Sequence, residues 1–114
     1  MENFIQSMID YLEDAKEDLR PRVGYGEDGP LDDCAEKISE ALTAANNWQW
    51  AVENGGTVLP ADIEETLEDL QSAQDSVKEY LDNTDWKDGR VSNVYEALDR
   101  AISRAESFLV DQGE

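Results

Sequence analysis

Apolar residues return every three or four positions in four consecutive segments of this chain. That spacing places each set on one face of a helix, so it predicts four amphipathic helices at about 3–19, 31–52, 61–81 and 91–110. The predicted core positions are Phe4, Met8, Tyr11, Leu12, Ala15 and Leu19 in the first helix, Leu31, Ala35, Ile38, Leu42, Ala45 and Val52 in the second, Ile63, Leu67, Leu70, Val77 and Leu81 in the third, and Val91, Val94, Leu98, Ile102, Ala105 and Leu109 in the fourth.

Glycine and proline separate these segments. The breaks are Arg20-Pro21 with Gly24, Gly26, Gly29 and Pro30 after the first segment, Asn54-Gly55-Gly56 and Pro60 after the second, and Asn83 and Gly89 after the third. No strand is predicted, because glycines interrupt the one local candidate, Val23 and Tyr25. Short connections favour antiparallel neighbours, so the predicted fold is all-α: an antiparallel four-helix bundle with short loops, in one domain over residues 1–114.

Charge changes this picture most. The chain has 28 acidic residues, 9 basic residues and no histidine, which gives a net charge of -19 in 114 residues. Residues 1–57 carry -9 and residues 58–114 carry -10, so the sequence predicts acidity spread evenly over the whole surface. Such a surface repels nucleic acid and anionic membranes, and neither is expected as a direct partner.

The single cysteine and the N-terminal residues bear on location. Cys34 cannot form an internal disulfide and fits a reducing cytosol, where it is expected to be a small, inert helix residue. The N-terminal stretch MENFIQSMIDYLED is acidic, unlike a signal peptide, and no apolar run is long enough to span a membrane. We therefore expect a cytoplasmic protein.

Two stretches resemble ligand loops but depart from them. Gly24 to Gly29 matches G-x-G-x-x-G, yet a helix precedes it, Pro30 follows it, and its two carboxylates would repel a pyrophosphate. Asp82 to Gly89 resembles a calcium loop, but Trp86 occupies a ligand position and Tyr95 the glutamate position. The first stretch is interpreted as a flexible loop and the second as a helix-to-helix turn with solvated carboxylates.

Catalytic patterns are not favoured either. Without histidine there is no Ser-His or Cys-His pair and no Glu-x-x-His di-iron motif, and one cysteine cannot build a thiolate metal site. The sequence therefore predicts no enzyme, no catalytic residue, no cofactor and no metal. Trp48 and Trp50 lie two residues apart and point in different directions, which predicts one in the core and the other exposed.

Acidic helix faces are the candidate partner-binding sites. Like charges one helical turn apart weaken a helix by a few tenths of a kcal/mol per pair, and this chain carries many of them. A rod of about 33 Å with -19 charges approaches the roughly 20 charges of the same length of duplex DNA. The candidates are Asp10, Glu13 and Glu17 on the first helix, and Glu65, Glu68, Asp69 and Glu79 opposite the third apolar stripe with Asp75 and Asp82 on its flank.

The charge excess, the short length, the acidic stripe from Asp62 to Asp88 and the lack of histidine resemble those of phage-encoded DNA-mimic proteins. Those proteins block restriction enzymes, CRISPR effectors and other host defences. The resemblance implies an inhibitor that occupies the basic nucleic-acid-binding site of a host defence protein in the host cytoplasm. It also implies a homodimer, since doubling the rod would cover about two turns of duplex.

Two other interpretations stay open at this point. One is an immunity or antitoxin-like protein that binds a basic nuclease toxin, with Trp48, Trp50, Tyr80 or Tyr95 as its anchors. The other is a helical protein from a high-salt organism, whose carboxylates serve only solvation.

Overall fold

The computed structural model describes residues 4–20 and 30–113, which fold into four α-helices. They are α1 (Phe4–Leu19), α2 (Pro30–Glu53), α3 (Pro60–Asn83) and α4 (Gly89–Gly113). The prediction of an all-α fold is confirmed, and each predicted end lies within three residues of the observed one. Pro21, the glycines at 24, 26 and 29, and the predicted loop with Val23 and Tyr25 lie outside the described residues.

The helices form an antiparallel bundle in which each packs against two neighbours. Helix α1 packs against α2 and α4, and α3 packs against the same two helices, so α1 and α3 occupy opposite corners. The side-chain amide of Gln49, near the end of α2, donates to that of Gln6, near the start of α1, at 2.7 Å. The bundle measures 44 × 23 × 21 Å.

The core is one continuous apolar cluster along the bundle axis. Most predicted core positions are buried, although Phe4, Tyr11, Ala35 and Leu109 are only partly so. A helix with two neighbours buries a wider face than a single stripe, which is why the prediction missed several positions. Buried residues that it missed include Ile5, Ile9, Cys34, Ala41, Trp48, Ala97, Ala101 and Phe108.

The assignment of Val52 to the core was wrong, since its side chain is 44% exposed. Helix α2 ends one residue later, at Glu53, and the chain turns away through a Schellman motif. In that motif Gly55 N donates to the carbonyl of Val52 at 3.1 Å and Gly56 N to that of Ala51 at 2.7 Å. Gly55 has φ +79°, the left-handed conformation that glycine adopts without strain.

Helix α3 ends in a similar turn but without glycine. Asp85 and Trp86 have φ +56° and +58°, and Trp86 N donates to the carbonyl of Leu81 at 2.8 Å. A left-handed residue with a Cβ costs about 1 kcal/mol, and a carboxylate near a helix C-terminus opposes the helix dipole.

We expect Asp85→Gly to raise the free energy of unfolding by about 1 kcal/mol, because it removes both effects. Urea denaturation followed by circular dichroism would measure the change. Asp85→Ala is the matched control, since it removes the charge but keeps the Cβ. Equal stability of the two variants would contradict the argument from backbone strain.

The turn between α3 and α4 is confirmed as a helix-to-helix connection, but its carboxylates are not simply solvated. Trp86 Nε1 donates to Asp82 at 2.9 Å, and the Tyr80 hydroxyl donates to Asp88 at 3.1 Å. Asp88 also accepts the backbone N–H of Val91 at 3.5 Å, in the first turn of α4. The aspartates at the two ends of this turn therefore hold the connection together.

Candidate partner-binding surface

The negative charge is distributed unevenly among the helices, so the prediction of even acidity was wrong. Helix α3 carries eight carboxylates and one lysine, a net charge of -7. Helices α1 and α2 each carry -4, whereas the three arginines of α4 reduce its charge to -1. Splitting the chain into halves concealed this, because the nearly neutral α4 follows the strongly acidic α3 in the second half.

A second feature is a long stretch without any cation. Residues 38–77 contain no lysine or arginine but include eight carboxylates. This stretch forms most of α2, the connection at residues 54–59 and most of α3, and α2 and α3 pack side by side. No lysine or arginine from the stretch itself can neutralise the carboxylates of this hairpin.

The carboxylates of α3 form the α3 acidic face, which has an exposed side and a defined length. Seven of the eight side chains are exposed and Asp69 is half-buried. A helix of 24 residues is about 36 Å long, which gives roughly one carboxylate per 4.5 Å. One strand of duplex DNA carries a phosphate about every 3.4 Å, so this face compares with one strand. The face comprises Asp62, Glu64, Glu65, Glu68, Asp69, Asp75, Glu79 and Asp82.

The whole-bundle comparison with duplex DNA is weaker than the sequence indicated. The bundle is 44 Å long, and duplex DNA of that length carries about 26 charges, more than the 19 of this chain. The resemblance to DNA therefore rests on the local density of carboxylates on the α3 acidic face and not on the net charge of the whole molecule.

The structure separates the two predicted acidic sets. Asp10, Glu13 and Glu17 are all exposed on α1, but α1 lies at the corner opposite α3. Asp10 also accepts a hydrogen bond from the side chain of Gln6 at 3.0 Å. One flat partner surface cannot contact both sets at once, so they are two separate candidate surfaces.

Cations lie among the carboxylates on the α1 side. Arg100 of α4 lies 5.9 Å from the centre of the Tyr11 ring, in an open groove of about 260 Å³ between α1 and α4. Asp14, Glu17, Asp18 and Glu96 line the same groove. Another open groove, between α1 and α2, includes Lys16 and Arg20. Three cations therefore lie among the carboxylates on this side, whereas α3 has one lysine, Lys78, among its eight carboxylates.

Of the four aromatic anchors considered from the sequence, Trp50 alone is mostly exposed. Trp48 is buried and stacks on Phe108 with ring centroids 5.8 Å apart, whereas Trp50 is 68% exposed, which confirms the prediction for the pair. Tyr80 and Tyr95 are half-buried against the core. Trp48, Tyr80 and Tyr95 thus pack in or against the core, which the spacing of residues alone did not reveal.

Cys34 is fully buried in the core. Its burial, together with the negative charge of Asp33, raises the pKa of the thiol from 9.0 to about 12. The thiolate is the reactive form, so the native protein holds almost none of it near neutral pH.

We expect Cys34 to react with a disulfide reagent roughly 1,000-fold more slowly in the native protein than in urea, because of its raised pKa and its burial. The absorbance of the released thiol at about pH 8 measures the rate. Labelling at the same rate with and without urea would show that α2 opens readily, against this structure.

Among the described residues, no three histidine, cysteine, aspartate or glutamate side chains are placed to hold a metal ion. In the same part of the chain, the helices are too polar or too short to cross a membrane. The chain matches no protein-family model, no curated protein and no solved structure.

Proposed function

We propose that this protein is an inhibitor that occupies the basic nucleic-acid-binding groove of another protein, without catalysis and without a cofactor. The observation that carries this proposal is the α3 acidic face, a row of eight carboxylates about 30 Å long, of which six lie in the 40-residue stretch that has no cation. A groove that gains affinity by neutralising a row of phosphates also gains it by neutralising a row of carboxylates. The proposed protein class is therefore the DNA-mimic inhibitors of host defence systems.

The uneven charge supports binding over solvation alone. A carboxylate shell that serves only hydration has no reason to concentrate on one helix, yet α3 carries -7 and α4 carries -1. The like charges in α3 also weaken that helix by a few tenths of a kcal/mol per pair. A face that lowers stability in this way is typical of a binding surface, where stability and function conflict.

The electrostatic origin of the affinity sets its salt dependence. Exposed charges are screened over about 8 Å at physiological ionic strength and over about 3 Å at 1 M. Binding through the α3 acidic face therefore weakens steeply as salt rises. Binding through an apolar anchor such as Trp50 would change little over the same range.

The test is to immobilise this protein and capture its binding partners from a cell lysate. The capture is then repeated with duplex DNA as the competitor. Capture of a nucleic-acid-binding protein that duplex DNA releases supports the proposal. If the captured protein is a nuclease that duplex DNA fails to release, the immunity-like interpretation replaces it. If physiological salt leaves nothing bound, the carboxylates serve solvation and the proposal is wrong.

A further inference from the structure

The outer face of α2 carries an uncharged stripe on this strongly acidic molecule. Residues 41–52 contain no charged side chain, over about 18 Å of helix. Thr43, Asn47, Trp50 and Asn54 follow one another at steps of four, three and four residues, so they lie on one side of the helix, and all four are exposed. We call these four residues the α2 seam.

The α2 seam is easier to remove from water than its polar composition indicates. The Thr43 hydroxyl donates to the carbonyl of Ser39 at 3.1 Å, and the Asn54 amide donates to that of Trp50 at 2.7 Å. These donors are already bonded to their own helix, so covering them leaves fewer unsatisfied groups. Trp50, with 68% of its surface exposed, is the largest apolar group of the seam.

From these features we infer that the α2 seam docks a second copy of this chain, with the two α2 helices antiparallel. A partner selected by charge would be basic and would contact the carboxylates, whereas the α2 seam offers no charge to it. Two copies carry -19 each, so an uncharged surface lets them approach with less repulsion than an acidic one.

The direction of pairing follows from the acidic residues at one end of the stripe. Glu36 and Glu40 continue it toward the start of α2. A parallel pair would place each glutamate beside its own copy, which is repulsive. An antiparallel pair centred on Asn47 places Glu40 opposite Asn54 of the partner and Trp50 against Thr43 and Asn47 of the partner. The antiparallel direction therefore keeps the glutamates of the two copies apart, at opposite ends of the paired seams.

This arrangement also bears on the α3 acidic face. A two-fold axis perpendicular to the paired α2 helices keeps both α3 helices on the same side of the dimer, because α3 packs against one side of α2. The dimer then presents two antiparallel rows of carboxylates on one side. The inference itself does not rest on the proposed function, because the dimer forms without any other protein.

Sedimentation equilibrium tests the inference on the full chain. The α2 seam offers less surface area than a standard protein–protein interface, so we expect a weak dimer. Salt screens the repulsion between the net charges of the two copies and therefore strengthens the dimer. We expect at least tenfold tighter association in about 1 M salt than in about 0.1 M salt. Trp50→Glu should abolish it. Val110→Glu, at a site 64% exposed on α4, adds the same charge and should leave it unchanged.

Cysteine cross-linking tests the register. Asn47→Cys lies at the two-fold axis and should form an intermolecular disulfide under mild oxidation, while the buried Cys34 stays reduced. Asn54→Cys should not, since its two copies would lie about 21 Å apart. A monomer in high salt, a dimer that survives Trp50→Glu, or cross-linking of Asn54→Cys would each overturn the inference.

Discussion

Leu98→Asp is expected to unfold this protein at neutral pH. Leu98 is fully buried at the centre of α4, where α4 faces both α1 and α3. The substitution removes about 2 kcal/mol of apolar burial and places a carboxylate where no cation can reach it, which costs several kcal/mol more. Small domains are stable by only about 5–15 kcal/mol, and this one carries charge repulsion as well.

Circular dichroism at 222 nm would show the loss of helix. Leu67→Asp should act in the same direction on α3, where the side chain is 7% exposed. Val110→Asp is the control on α4, because that side chain is 64% exposed and the added charge remains in water. A cooperative urea transition of Leu98→Asp that matches the unsubstituted protein would contradict the packing of α4 described here.

The arrangement of helices could be predicted from the sequence because local signals agreed with one another. The apolar spacing identified four helices. Pro60 stands at the start of α3 and Gly55 just after the end of α2, the positions that their conformational preferences favour. Loops of six and five residues, at 54–59 and 84–88, then allow only antiparallel neighbours.

The width of the core was harder to predict, since it depends on how many neighbours a helix has. Trp48 and Phe108 stack across the bundle, and neither lies on the stripe that the spacing assigned to its helix. Val52 lies on the predicted stripe but beyond the last layer of packed side chains. Periodicity gives the direction in which a side chain points but not whether another helix reaches it.

The location of the candidate site also depends on which helices pack together, which the spacing of apolar residues does not give. Asp10 and Glu65 are equivalent in the sequence, since each lies opposite an apolar stripe. The packing order of the helices places them at opposite corners, and Arg100 of α4 lies near the acidic residues of α1. The net charge of a chain does not say where the charge lies, so only the fold shows that the α3 acidic face is less compensated than the carboxylates of α1.

Neutralising five carboxylates of this face together is expected to lower the affinity for a basic partner by on the order of 100-fold. Single exposed charges contribute about 0.2–1 kcal/mol each, so Glu68→Gln alone should change little. Five of them together amount to roughly 3 kcal/mol, and 1.4 kcal/mol is a factor of ten. The combined variant is Glu65→Gln, Glu68→Gln, Asp69→Asn, Asp75→Asn and Glu79→Gln.

The same variant should be more stable than the unsubstituted protein. It removes the repulsions within the pairs Glu65–Glu68, Glu65–Asp69 and Asp75–Glu79, which together weaken α3 by about 1 kcal/mol. Weaker binding by a more stable protein therefore cannot be attributed to unfolding. Isothermal titration with the captured partner, together with urea denaturation, measures both changes.

A matched variant with the same change in net charge separates the α3 acidic face from the total charge. It replaces five exposed carboxylates of α1 and α4 by their amides: Asp10, Glu13, Glu17, Glu106 and Asp111. If the α3 acidic face is the binding surface, this variant retains most of the affinity, because none of its changes lies on α3 and three of them lie on α1, at the corner opposite α3. Equal losses in both variants would mean that the partner responds only to total charge, and a larger loss in the matched variant would move the site to α1.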